Sequence, residues 1–172
     1  MSHSPLPRRL GWAVLFLAAL AGCSSPAAPT AQAPSVVSVT HGFEPAGGYG
    51  WQMTVSSDFS VRDVNHNGPG PDVQCVATVT AAQWNDLLAK VDAVRFFELK
   101  DSYVANDGTH FFARVVRTDT LKTVSWTGEA PLAALESHLI ALRQGTLQWK
   151  GMAGDAESER YCTNRYWQRD LS

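Results

Sequence analysis

Tyr49, Trp51, Met53 and Val55 fall on one phase of a two-residue alternation, the pattern of a strand with one buried face. Ser57 and Asp58 follow as a turn and residues 59–64 run back, so the segment predicts a hairpin. Residues 65–71, Asn-His-Asn-Gly-Pro-Gly-Pro, are dense in turn formers and predict a loop. Val73, Cys75, Ala77 and Val79 then alternate with Gln74, Val76 and Thr78, predicting a third strand with Cys75 pointing inward. Ahead of these, residues 36–40 alternate only weakly, and the Gly/Pro-rich run 41–48 reads as a loop.

After Val79 the period lengthens. Thr80-Ala-Ala-Gln83 has the spacing of a capping box, with the hydroxyl on the third helical amide and the glutamine reaching back. Trp84, Leu87, Leu88, Val91 and Val94 follow at the spacing of one buried helical face, and the helix is expected to end around residues 96–97. Beyond a loop at 100–109, residues 111–117 and 122–126 predict a second hairpin turning at 118–120. Pro131, then Leu132, Leu135, Leu139 and Leu142 on one face, then Gly145, mark out a second helix. Residues 146–172 are polar and aromatic, with a short helix expected near 155–161. The order β-β-β-α-β-β-α predicts an α+β fold: an antiparallel sheet of about five strands with two helices packed on one face.

The N-terminus has a different character. Arg8 and Arg9 precede an apolar run from Leu10 to Gly22, shorter than the roughly 20 residues of a membrane-spanning helix. That is the build of a signal peptide. Its end, Leu20-Ala21-Gly22-Cys23, resembles the lipobox of bacterial lipoproteins. The resemblance implies that the Cys23 thiol is joined to a diacylglyceryl group and that cleavage leaves Cys23 as the first residue, with palmitate-type acyl chains as the membrane anchor. Two acyl chains meet the requirement for stable anchoring, since each buried methylene contributes about 0.8 kcal/mol. Ser24, in place of Asp, resembles the sorting pattern for an outer membrane facing the periplasm, in an organism with two membranes. The expected organisation is therefore a leader at 1–22, a Pro/Ala/Ser tether at 23–34, an α+β domain at 35–145 and an extension at 146–172.

Composition narrows the function. Loss of Arg8 and Arg9 with the leader takes the net charge from −2 to −4. No basic patch of the kind nucleic acid requires is present, and no nucleic-acid partner is expected. Of the six tryptophans and seven phenylalanines, all but Trp12 and Phe16 lie beyond the leader and can build a core for a domain of this length. Setting aside Cys23, the remaining cysteines are the pair Cys75 and Cys162, which in an oxidising compartment reads as one disulfide stapling the extension to the third strand. Closing that loop is worth about 4 kcal/mol in the chain-entropy account.

Several segments together carry a further resemblance. They are the Gly-Tyr strand leading to Ser57-Asp58-Phe59-Ser60-Val61, the Trp84–Leu88 helix, Phe96-Phe97-x-Leu99-x-Asp101-Ser102-Tyr103 with Asp107, and Lys122-x-Val124. Over residues 36–143 the chain is similar to a domain of unknown function found in many bacterial lipoproteins. Relatives often carry Asp-Gly in the first hairpin turn, where this chain has Asp58-Phe59. The resemblance implies fold and location and no chemistry.

Chemical candidates are few. Asp101, Asp107 and His110, with Tyr103 among them, place two carboxylates and an imidazole within ten residues, enough for a cation site or an acid–base pair. The same residues equally serve as turn braces, with Asp101 capping, Asn106-Asp107-Gly108 turning and Tyr103 packing. The segment lacks the calcium-loop pattern, and the histidines at 41, 66, 110 and 138 lack zinc-ligand spacing, so no metal or cofactor is expected. Tyr49, Trp51, Trp149, Tyr161, Tyr166 and Trp167 are more aromatic than a bare scaffold needs; Tyr49 and Trp51 read as core, while Tyr166 and Trp167 stay open between core and partner-anchoring surface. The expectation is a membrane-anchored envelope lipoprotein acting as a non-catalytic binding or inhibitory module for an envelope protein or cell-wall partner. The alternative is an envelope hydrolase or metal-dependent enzyme built on Asp101, Asp107 and His110.

Overall fold

The computed structural model describes residues 35–45, 49–104, 110–128, 131–145, 147–152 and 154–164. In chain order these form β1 (Val36–Glu44), β2 (Tyr49–Ser56), β3 (Ser60–Asn67), β4 (Val73–Thr78), α1 (Ala81–Ala93), a 3-10 turn (Phe96–Glu98), β5 (Ser102–Tyr103), β6 (His110–Arg117), β7 (Leu121–Trp126), α2 (Ala133–Gln144), β8 (Lys150–Gly151) and α3 (Ala156–Asn164). The strands make one sheet in the order β5-β7-β6-β1-β2-β3-β4-β8. Every neighbouring pair is antiparallel except β5 and β7, so the sheet is mixed.

The fold is α+β, with a larger sheet than the five strands that the patterns predict; besides the two packed helices, the short helix expected near 155–161 is present as α3. β5 and β8 are two residues each, too short to carry a period. β1 corrects the expectation of a loop after residue 40. It runs through His41, Gly42 and Phe43 to Glu44 and sits at the sheet centre, hydrogen-bonded to both β2 and β6. Val39, Thr40, His41 and Gly42 are all buried, so both faces of the strand are covered and the alternation is erased. Gly42 is required by packing. A Cβ there would stand 2.5 Å from the Phe112 ring and 2.7 Å from the Trp51 carbonyl oxygen, because Phe112 lies across the strand at that point.

The inner face of the sheet packs against α1 and α2. Trp84, Leu87 and Val91 of α1 and Leu135, Leu139 and Leu142 of α2 join Val39, Met53, Val55, Val115 and Val124 in one core. Each fully buried side chain of this size contributes about 1.5–3 kcal/mol. α1 begins with the expected capping box: Thr80 Oγ1 accepts from the Gln83 amide at 3.2 Å, and Gln83 Oε1 accepts from the Thr80 amide at 2.8 Å. It ends at Ala93, earlier than expected. Arg95 enters the left-handed region (φ 49°), and Phe96 is driven into the core by the short 3-10 turn that follows.

Phe59 also has positive φ (67°), the conformation that suits the glycine of the resembling turn. Asp58 supports the turn by accepting from the Ser60 amide at 3.0 Å and from its hydroxyl at 2.6 Å. At the other end of the chain, Cys75 and Cys162 form the disulfide, which holds α3 to β4. The Gln74 amide donates to Ser158 Oγ at 3.1 Å across the same junction. Cys23 and residues 1–22, where a leader is expected, lie outside the described residues.

Candidate functional site

Cross-strand register lines up two rows on the inner face. One reads Val124, Ala113, His41, Met53, Asp63, Cys75 across β7, β6, β1, β2, β3 and β4. Its neighbour reads Trp126, Phe111, Phe43, Trp51, Asn65, Val73. Two ionisable groups, His41 and Asp63, thus stand in the middle of an apolar row with an aromatic row beside them. α2 crosses this region and delivers Glu136, Ile140 and Arg143 to it.

Arg143 is the centre of the arrangement. Its Nε donates to Asp63 Oδ2 at 2.9 Å and its Nη2 donates to Asn65 Oδ1 at 2.9 Å. Its Cζ lies 3.9 Å from the centroid of the Trp51 ring, a cation–π stack. Its carbonyl accepts from Trp149 Nε1 at 3.2 Å, which places one aromatic of the extension in the core. A buried charge is tolerated when it is paired and hydrogen-bonded, and Arg143 meets both conditions. Burial raises the Asp63 carboxyl above its ordinary range, and the Arg143 charge and the hydrogen bonds offset only part of that rise.

His41 is completely buried in rings. It stacks on Trp126 (centroids 5.9 Å apart) and Phe111 (6.3 Å) and meets Trp51 edge-on (5.0 Å). Neither ring nitrogen has a hydrogen-bond partner among the described residues, and the nearest ionic group is Glu136, whose Oε1 is 3.8 Å from Nε2. Above these groups opens a cleft of about 660 Å³. Phe43, Trp51 and Phe111 of the aromatic row line it, α2 supplies one wall, and Tyr161 of α3 borders it. Tyr49 stands at the rim, 59% exposed, which corrects its expected place in the core; Trp51 is half-buried as a wall residue. His66 is also on the rim, with Nδ1 3.0 Å from Asp72 Oδ1. The volume suits a small organic ligand.

The sequence-derived cluster lies elsewhere. Asp101, 85% exposed, pairs with Lys122 at 3.0 Å, and its carbonyl accepts from the Ser125 amide. His110 begins β6 and its Nε2 is 3.6 Å from Glu44 Oε2. Asp101 and His110 therefore have different partners, and Asp107 lies outside the described residues, as do Tyr166 and Trp167. Among the described residues no three His, Cys, Asp or Glu side chains are grouped to hold a metal ion.

The polar groups at the cleft escaped the sequence reading, although a signal existed for three of them. Val61, Asp63 and Asn65 share one phase of β3, so once Val61 is assigned inward the two polar groups must follow it. Arg143 is one turn beyond Leu139 on the buried stripe of α2. No protein-family model matches this chain, and no curated protein sequence matches it.

Proposed function

We propose that this protein is a lipid-anchored module of the cell envelope that binds a ligand, without catalysis, in the cleft between α2 and the aromatic row. The observation that carries this reading is the construction of the cleft. Its floor is rigid because Arg143 is held by Asp63, Asn65 and Trp51 at once, and its walls are aromatic. A preformed apolar cleft with a few fixed polar groups is the general form of a ligand site. The ligand's source in this reading is an envelope protein or cell-wall partner, brought near by the acylated Cys23. Among the described residues no helix is long and apolar enough to cross a membrane. The enzyme reading has less support, since Asp101 and His110 engage Lys122 and Glu44.

Two experiments test it. Growth with an alkyne-bearing palmitate analogue should label the wild type and leave Cys23→Ser unlabelled; equal labelling removes the anchor. Ile140→Trp should fill the cleft and abolish capture of the envelope partner while α1 and the disulfide remain intact. Undiminished capture by a folded Ile140→Trp protein removes the cleft.

A further inference from the structure

We infer that the α2 cleft takes an organic cation, an ammonium or guanidinium group on an apolar body. This rests on the cleft being a ligand site and adds the chemistry that site selects.

The charges of the cleft do not balance evenly. Arg143 and Asp63 neutralise each other at 2.9 Å, and neither side chain is more than 3% exposed. Glu136, on the same wall, is different. Its side chain is 18% exposed, and its ionic neighbour is His41 Nε2 at 3.8 Å, beyond hydrogen-bond reach. A carboxylate on a mostly covered side chain loses part of its hydration and gains from a partner that replaces it. A ligand cation in the cleft supplies that partner through a charge-assisted hydrogen bond.

A second observation points the same way. His41 lies behind Glu136 with both ring nitrogens buried and, among the described residues, without hydrogen-bond partners. Among the described residues the His41 ring is thus left without a hydrogen bond, and Glu136 is the acidic group that stands nearest to it. The rings around the opening complete the argument. Phe43 and Phe111 are 4.9 Å apart at a 44° tilt, and both face the cleft with Tyr49 at its rim. Aromatic faces attract cations through their quadrupoles. An anion finds less here, because Arg143 Nε and Nη2 are engaged by Asp63 and Asn65, and His66 is engaged by Asp72.

The experiment uses the full chain in non-ionic detergent micelles, with binding read from the tryptophan indole signals in two-dimensional NMR. Phenethylamine, phenethyl alcohol and 3-phenylpropionate are similar in size and differ in charge, and a fourth probe, N-acetyl-lysine methylamide, carries the ammonium on a peptide-like body. At least one of the two cations should bind about tenfold tighter than the alcohol. Phenethylamine as the tighter one identifies a free amine as the ligand type, and the lysine derivative as the tighter one identifies a side chain of a partner protein. Glu136→Gln should remove the cation's advantage and leave the alcohol unchanged, and Glu136→Asp, which withdraws the carboxylate by one methylene, should weaken the cation by a smaller factor. If the alcohol or phenylpropionate binds as tightly as the cations, or the advantage survives in Glu136→Gln, the cation inference is overturned while the cleft stands. If no probe shifts any signal, or Ile140→Trp leaves every shift in place, the cleft reading itself falls.

Discussion

Arg143 of α2 and Asp63 of β3 meet at 2.9 Å across 80 residues of sequence, with both side chains out of solvent. The pair ties the helix to the centre of the sheet and levels the floor of the cleft. Breaking a buried ion pair from one side strands a charge, at a cost of about 3–5 kcal/mol, whereas replacing both partners with apolar groups is often near neutral. Arg143→Met alone should therefore lower stability by about that amount, and Arg143→Met with Asp63→Leu should recover most of it. Urea unfolding followed by circular dichroism measures both. Simple additivity of the two single changes would show that the residues are not coupled.

The acid limb of stability should carry contributions of opposite sign. Asp155 accepts from Ser158 Oγ and from the Ser158 and Glu157 amides at the start of α3, which holds its carboxyl below the ordinary 3.8. Asp58 is lowered in the same way by Ser60. A lowered folded value means that stability from these groups is present above pH 3.8 and is lost as pH falls through the folded value. Asp63 is raised, so its contribution is full below 3.8 and is lost as pH rises through the raised value. In urea titrations, the deficit of Asp155→Asn against the wild type should shrink as the pH is taken from 5 to 2. A deficit that stays constant over that window would mean the Asp155 carboxyl is not lowered.

The Cys75–Cys162 bond closes a separation of 87 residues, and its removal is expected to cost about 2–5 kcal/mol. The loss should be felt first at α3, which is held to β4 and β8 and brings Tyr161 to the cleft. Hydrogen exchange on the reduced protein, or on Cys75→Ser with Cys162→Ser, should show α3 amides deprotected before those of β1 and β2. Uniform deprotection would place the effect on the whole fold.

Gly42 is expected to tolerate no side chain. Gly42→Ala should destabilise by about 1–3 kcal/mol, the usual range for overpacking, because its Cβ meets both the Phe112 ring and the Trp51 carbonyl. Adding Phe112→Leu should relieve part of this, leaving the contact with the backbone oxygen. A thermal-melt series of the two single variants and the double variant gives the coupling directly.

Much of the fold is legible in the chain because it depends on neighbours in sequence. The Thr80–Gln83 capping box, the Leu132, Leu135, Leu139 and Leu142 stripe ending at Gly145, and the period-two strands β2 and β4 are each contained within about a dozen residues. The even cysteine remainder needed only the count. β1 was not legible, since a central strand buried on both faces shows no alternation and its Gly42 resembles a loop residue. β5 and β8 were not legible either, because pairing with β7 and with β4 is what makes two residues a strand.

The cleft belongs wholly to tertiary structure. His41, Trp51, Asp63, Glu136 and Arg143 lie on four separate elements, and nothing local to any of them specifies the others. Cross-strand register decides that His41 and Asp63 share a row, and the path of α2 over the sheet decides that Arg143 reaches Asp63 and Glu136 stands beside His41. The sequence by itself determined the periodic faces, the caps and the cysteine pair, since each follows from the geometry of one short segment. Only the packed structure decided the charge network and the cavity above it, because distances between residues 80 positions apart are set by how those faces are stacked.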